Sequence, residues 1–211
     1  MDSPEAERRL DARDRALLHV IDSAFADAAR KSGHHLVCRR GCTECCIGPF
    51  PITMLDARRL RTGLVELERQ DAARAAQIRE RAQKTVAMMA SDFPGDAQGL
   101  LKENAGPYAR FWSWYGTVPC PALDPDTGAC ELYSARPVTC RRFGPPLLVG
   151  SQSIPHCRLC FVGASEEEIE SCRVEVDPDG AELAALDELD TGSGETGNTI
   201  IAFALSSDER R

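Results

Sequence analysis

Ten cysteines in 211 residues set the chemistry open to this chain. Four stand in one short run, Cys38-x3-Cys42-x2-Cys45-Cys46. Cys120, Cys130 and Cys140 follow, each separated by nine residues, then Cys157-x2-Cys160, and finally Cys172. Short spacings let several thiolates from one loop converge on an ion, and Gly41 relieves the backbone where it bends around that ion. Two groups, each too small to fill four coordination positions twice, are expected to meet around shared metal. Neighbouring side chains diverge, so Cys45 and Cys46 are expected to serve different ions or different corners of a cluster. Thiolates also need their charge stabilised. Arg136, Arg141 and Arg142 near Cys140 could lower its pKa and donate hydrogen bonds to ligated sulfur, as could Arg39 and Arg40 beside Cys38. His34, His35 and His156 are weaker ligand candidates, because a histidine beside a metal loop is more often a surface group.

The elements that must position these thiols are mainly helical. Ser3-Pro4 reads as an N-cap and first-turn proline, and Leu10, Leu17, Leu18, Ile21, Phe25 and Ala28 recur at helical spacing, predicting a helix over 4–31 ended by Gly33. Thr53 with Asp56 resembles a capping box, followed by Leu55, Leu60, Leu64 and Leu67 on one face of a second helix. An alanine-rich stretch over 71–89 reads as a third. Residues 91–116 break into short pieces that hold Tyr108, Phe111, Trp112, Trp114 and Tyr115, read as a core plug beside the cysteine region. Residues 118–160 carry five cysteines among seven prolines. Such a segment buries little by itself, and metal binding, contributing on the order of 10 kcal/mol, is what would order it. Short acidic helices are expected over 165–171 and 179–189, with N-caps at Ser165 and Asp179, and a strand-like run over 200–205. The expected fold is mainly α, with helices around an irregular cysteine-rich metal-binding core and little β. Residues 1–164 form the helical cysteine-cluster domain and 165–211 an acidic, partly helical C-terminal segment.

Composition narrows the function classes. The net charge of -8 is uneven: residues 1–90 carry +3, 91–164 carry 0 and 165–211 carry -11. No basic surplus exists to neutralise a phosphate backbone, which argues against nucleic acid. No apolar run approaches the roughly 20 residues that span a bilayer. The charged N-terminus lacks a signal-peptide pattern, so a cytoplasmic, thiol-reducing setting is expected, with metal rather than disulfides using the cysteines.

The pattern resembles the CxxCxxCC, or YkgJ-like, cysteine-cluster family, described as zinc- or iron-chelating. The resemblance is carried by Cys42-Thr-Glu-Cys45-Cys46, by Pro119-Cys120-Pro-Ala-Leu123, and by Gly128-Ala-Cys130-Glu-Leu-Tyr133 with Arg136-Pro137-Val-Thr-Cys140-Arg141-Arg-Phe143. The His156-Cys157 pair matches the family's last cysteine. The resemblance implies eight metal ligands: Cys38, Cys42, Cys45, Cys46, Cys120, Cys130, Cys140 and Cys157. Cys160 and Cys172 are extra, and either could replace a ligand. The first spacing departs from the family's Cys-x2-Cys, and the resemblance does not explain the alanine-rich insert.

Rival readings fit less well. Cys38-x3-Cys42-x2-Cys45 is also the radical S-adenosylmethionine spacing, but Glu44 stands where an aromatic precedes the last cysteine. Gly192-Ser-Gly194-Glu-Thr-Gly197 matches a dinucleotide fingerprint with no preceding strand and 14 residues after it, so it reads as a turn. The expected cofactor is an iron-sulfur cluster or zinc, with a slight tilt to the cluster. The first functional expectation is a metal-binding protein whose helical or acidic surface offers docking to a protein partner. The alternative is a metal-dependent redox or group-transfer enzyme, since some of the wider family resemble flagellin lysine N-methylases. With no separate nucleophile or acid-base pair in view, its reactive centre would be the metal.

Overall fold

The structure, a computed structural model, describes residues 4–39, 41–102, 105–177, 180, 183–184, 186–188, 191 and 196–206. Along the chain run α1 (Pro4–Ser32), β1 (Pro51–Thr53), α2 (Met54–Gln70), α3 (Ala72–Met89), α4 (Ala105–Tyr115), α5 (Val138–Arg141), β2 (Leu147–Val149), β3 (Gln152–Ile154), α6 (Glu166–Ser171), β4 (Val174–Val176), β5 (Asn198–Ile200) and α7 (Ile201–Ser206). Short 3-10 turns lie at Gly33–His35 and Tyr133–Ala135. The fold is mainly α, as expected. By contacts the chain divides into a first unit, Met1–Arg39 with Val138–Glu195, and a second, Arg40–Pro137 with Thr196–Arg211.

In the first unit, α1 ends where predicted and buries Leu17, Ile21 and Ala28 in one stripe, with Leu10, Leu18 and Phe25 half-buried. Its expected N-cap, Ser3, lies outside the described residues. α5 packs on α1, and a three-stranded sheet has the order β3-β2-β4. β2 and β3 form an antiparallel hairpin with Leu147 opposite Ile154, while β4 runs parallel to β2 with Val174 opposite Leu147. α6 has the expected N-cap at Ser165, and the structure adds Glu168 as the other half of a reciprocal capping box. Of the helix expected over 179–189, residues 183–184 and 186–188 are described and helical, while its N-cap candidate Asp179 and most of the Gly192–Gly197 turn fall outside the described residues.

The second unit is built on α2 and α3. The Thr53 hydroxyl accepts from the Asp56 amide at 3.1 Å, and the Asp71 carboxylate accepts from the Arg74 amide at 3.0 Å, capping the two helices. α2 buries Leu55, Leu60 and Leu64; α3 buries Ala75, Ile78, Ala82 and Met89. Two expectations are corrected here. The run over 200–205 is a strand only as far as Ile200, where β5 pairs antiparallel with β1; it then turns helical as α7. α7 lies against α2 and α3 and buries Ile201, Ala202, Ala204 and Leu205. A short, wholly apolar run has no period to separate strand from buried helix, and packing on two helices decides it. The aromatics of 108–115 likewise sit on one helix, α4. Phe111 is fully buried with Met89, Ile200 and Ala202, while Trp114 faces solvent. Among the described residues, no helix is long and apolar enough to cross a membrane.

Candidate metal centre

Five cysteines fall in the second unit: Cys42, Cys45, Cys46, Cys120 and Cys130. Gly41, at φ +88°, makes the bend that the sequence reading assigned to it. The Cys46 amide donates to the Thr43 carbonyl at 2.8 Å, closing a turn that sets Cys45 and Cys46 at its end. The chain then runs beside the segment before Cys120. Ile47 bridges Pro119, and the Cys120 amide donates to the Cys46 carbonyl at 2.7 Å. From Cys120 the chain doubles back through an Asp124 turn, whose carboxylate accepts from the Asp126 amide and the Thr127 hydroxyl. Leu123 bridges Cys130, and the Glu131 amide donates to the Ala122 carbonyl at 2.9 Å. Three backbone passes therefore bring Cys42, Cys45 and Cys46 of the first cysteine loop toward Cys120 and Cys130, while Cys38, Cys140 and Cys157 belong to the first unit.

The thiols of this unit feel one another. Cys45 and Cys46 have their sulfurs 3.9 Å apart. Hydrogen bonding from Cys46 holds the Cys45 thiol below its ordinary value, and that same contact, with burial and the neighbouring charges of Cys45, Cys120 and Cys130, pushes Cys46 far up. Burial pushes Cys120 up to about 12 and raises Cys130 as well. Four thiols in mutual range cannot all ionise unaided; a divalent cation reverses that, because it supplies the missing charge. Arg136, stacked on the Tyr133 ring at 3.8 Å, favours the ionised forms of Cys45 and Cys130.

Sequence reasoning missed the residues that fix this hairpin. Arg81 on α3 donates from Nε to the Pro121 carbonyl at 2.9 Å and pairs with Glu131. Arg74 donates from Nε to Glu131 at 2.6 Å. Arg74 and Arg81 stand seven residues apart, on one helix face, so the signal was present, but nothing local pointed to the residue beside Cys130 as their partner. The alanine-rich helix is thus the support on which Cys120 and Cys130 are mounted.

The first unit holds the other five cysteines: Cys38, Cys140, Cys157, Cys160 and Cys172. Cys38 and Cys160 have their sulfurs 3.8 Å apart. Gly144, at φ +132°, presses on Cys38 so closely that a Cβ there would lie 2.8 Å from its Sγ. The Gly144 carbonyl accepts from the Cys157 amide at 2.9 Å. Cys140 is half-buried on α5, and Arg141 beside it pairs with Asp22 of α1 at 2.6 Å. The histidines have other contacts. His35 stacks on Phe161 and lies 3.8 Å from the Glu168 carboxylate, His34 packs on His35, and His156 Nδ1 is 2.8 Å from the Cys157 carbonyl.

Sulfur donors suit zinc or iron, and a tetrahedral site with bonds of about 2.3 Å has sulfur–sulfur edges of about 3.8 Å. Cys45–Cys46 and Cys38–Cys160 both stand near that length. Among the described residues no three His, Cys, Asp or Glu side chains are yet gathered for one ion. A helical scaffold presenting clustered thiols on irregular loops defines a thiolate metal-chelating domain. The model of the CxxCxxCC family, described as "Putative zinc- or iron-chelating domain", matches residues 37–158, more than half of the chain, and the protein belongs to that family. No curated protein and no solved structure matches it significantly.

Proposed function

We propose that the protein binds zinc or an iron-sulfur cluster through its cysteines, with Cys42, Cys45, Cys46, Cys120 and Cys130 as the chelating group of the second unit. Cys38, Cys140 and Cys157 are the family-implied ligands of the first unit. A single observation carries the reading: three hydrogen-bonded backbone passes bring four thiols into electrostatic range of one another. Clustering buried thiols this way is costly for the metal-free chain and favourable once they share a cation. Arg136 favours the ionised sulfur of Cys45 and Cys130, and the Arg74–Glu131–Arg81 clamp holds the hairpin. When bound, the metal cross-links loops that bury little of their own, and an iron-sulfur cluster would add electron transfer to that role. None of the ten cysteines is joined in a disulfide.

The test is Cys120→Ser and Cys130→Ser in the full chain. Bound metal per chain should fall, and limited proteolysis should open the 119–131 hairpin. Unchanged metal in both folded variants would overturn the ligand assignment.

A further inference from the structure

Cys160 and Cys172 lie beyond the family match, which stops at residue 158. Neither behaves as an isolated thiol. Cys157, Cys160 and Cys172 are buried together with Phe161, against Leu36, Ala164 and Ile169, and Cys38 brings its sulfur to 3.8 Å from that of Cys160. Three buried thiols thus share one apolar cluster, and the exposed Cys38 reaches it with its sulfur. We propose that they form a second metal site, built of Cys38, Cys157, Cys160 and Cys172 and complete within the first unit.

Four features of the backbone serve this arrangement. The Phe161 amide donates to the His35 carbonyl at 2.8 Å, tying the approach to Cys38 beside Cys160. Phe161 holds φ +58°, a conformation that strains a bulky residue and persists where the surroundings over-determine it. Gly144 leaves room for the Cys38 sulfur and fixes the Cys157 amide on its own carbonyl. The α6 helix ends at Cys172, whose amide donates to the Ile169 carbonyl, so a capped helix delivers the fourth thiol.

The donor count selects the ligand. Four thiolates match a closed tetrahedral site for a soft divalent ion such as zinc. The Cys38–Cys160 separation already equals one edge of that tetrahedron, and the ion would draw the other thiols to it. A disulfide would use two sulfurs and leave two without a role. A clip joining residues 38, 157–160 and 172 also closes long loops, where cross-links stabilise most. The proposal rests on the reading that this chain chelates metal through thiols, and in the first unit it puts Cys160 and Cys172 beside Cys38 and Cys157 in place of the family-implied Cys140.

The experiment uses the full chain, stripped of metal under reducing conditions and loaded with cadmium-113 as the probe. Proton–cadmium correlation should couple the Cβ protons of Cys38, Cys157, Cys160 and Cys172 to one cadmium signal, distinct from the signal coupled to Cys120 and Cys130. Coupling at Cys120 and Cys130 without coupling at Cys160 and Cys172 overturns this proposal and leaves chelation standing. Coupling of Cys140 in place of either extra cysteine overturns it too, as does a Cys38–Cys160 disulfide that persists with cadmium present. No cysteine coupling anywhere overturns both readings. In a folded Cys160→Ser variant, bound zinc should drop by about one per chain, the whole complement of one tetrahedral site; retention of full zinc would contradict the assignment.

Discussion

Replacing Arg74 and Arg81 together with alanine should destabilise the second unit far more than replacing Glu131, although both changes break the same ion pairs. The Glu131 side chain is 4% exposed, whereas those of Arg74 and Arg81 are 40% and 27% exposed. Without the arginines, a carboxylate stays buried with its two guanidinium partners gone, which costs about 3–5 kcal/mol. The Pro121 carbonyl also loses its Arg81 donor, worth about 1 kcal/mol. Without Glu131, the two guanidinium groups swing into water, and the cost falls to about 1–2 kcal/mol. The assay is urea unfolding of metal-loaded protein at neutral pH, followed by the fluorescence of Trp112 and Trp114 on α4. Equal losses for Arg74→Ala/Arg81→Ala and Glu131→Ala, or losses below about 0.5 kcal/mol for both, the range of an ordinary surface change, would refute the clamp. An apolar triple variant, Arg74→Met/Arg81→Met/Glu131→Leu, should recover most of the stability, because it buries no charge.

The remaining predictions concern pH, packing and caps. In metal-free protein, burial holds the Cys120 thiol up to about 12 against an ordinary 9.0, and Cys46 and Cys130 are pushed the same way. The unfolded chain ionises first, so stability present below pH 9.0 should be lost as pH climbs toward about 12. Metal-loaded protein should instead lose stability as acid returns protons to its thiolates; a midpoint-against-pH series on both forms checks this, and identical profiles would contradict it. Gly144→Ala sets a Cβ against the Cys38 sulfur at a φ that disfavours any side chain, and should cost about 1–3 kcal/mol in thermal unfolding. Thr53→Ala and Asp71→Ala should each cost about 1 kcal/mol through a lost helix cap, read by the same unfolding curves.

What could be read from the sequence was local. Thr53 with Asp56, and Ser165 as an N-cap, announce helix starts because cap and capped amide lie three residues apart. The end of α1 at Gly33 and the glycine bend before Cys42 were legible for the same reason. Long-range pairing was not. Arg81 and Glu131 are 50 residues apart, and nothing in either neighbourhood announces the other. Cysteine grouping by proximity also misleads: Cys38 stands four residues before Cys42, yet its sulfur partner is Cys160, 122 residues away. The tail over 200–205 was misread because an unbroken apolar run carries no period, and its neighbours alone choose between strand and helix.

The central claim is that these cysteines hold metal, and the most direct measurement is zinc, iron and acid-labile sulfide per chain, with a visible spectrum, on protein purified without oxygen. The account predicts bound metal in proportion to protein: zinc in a colourless sample, or iron with sulfide and broad thiolate-to-iron absorption. Protein that carries none, takes up none when zinc or iron is offered under reducing conditions, and unfolds at the same midpoint with and without those metals would contradict it.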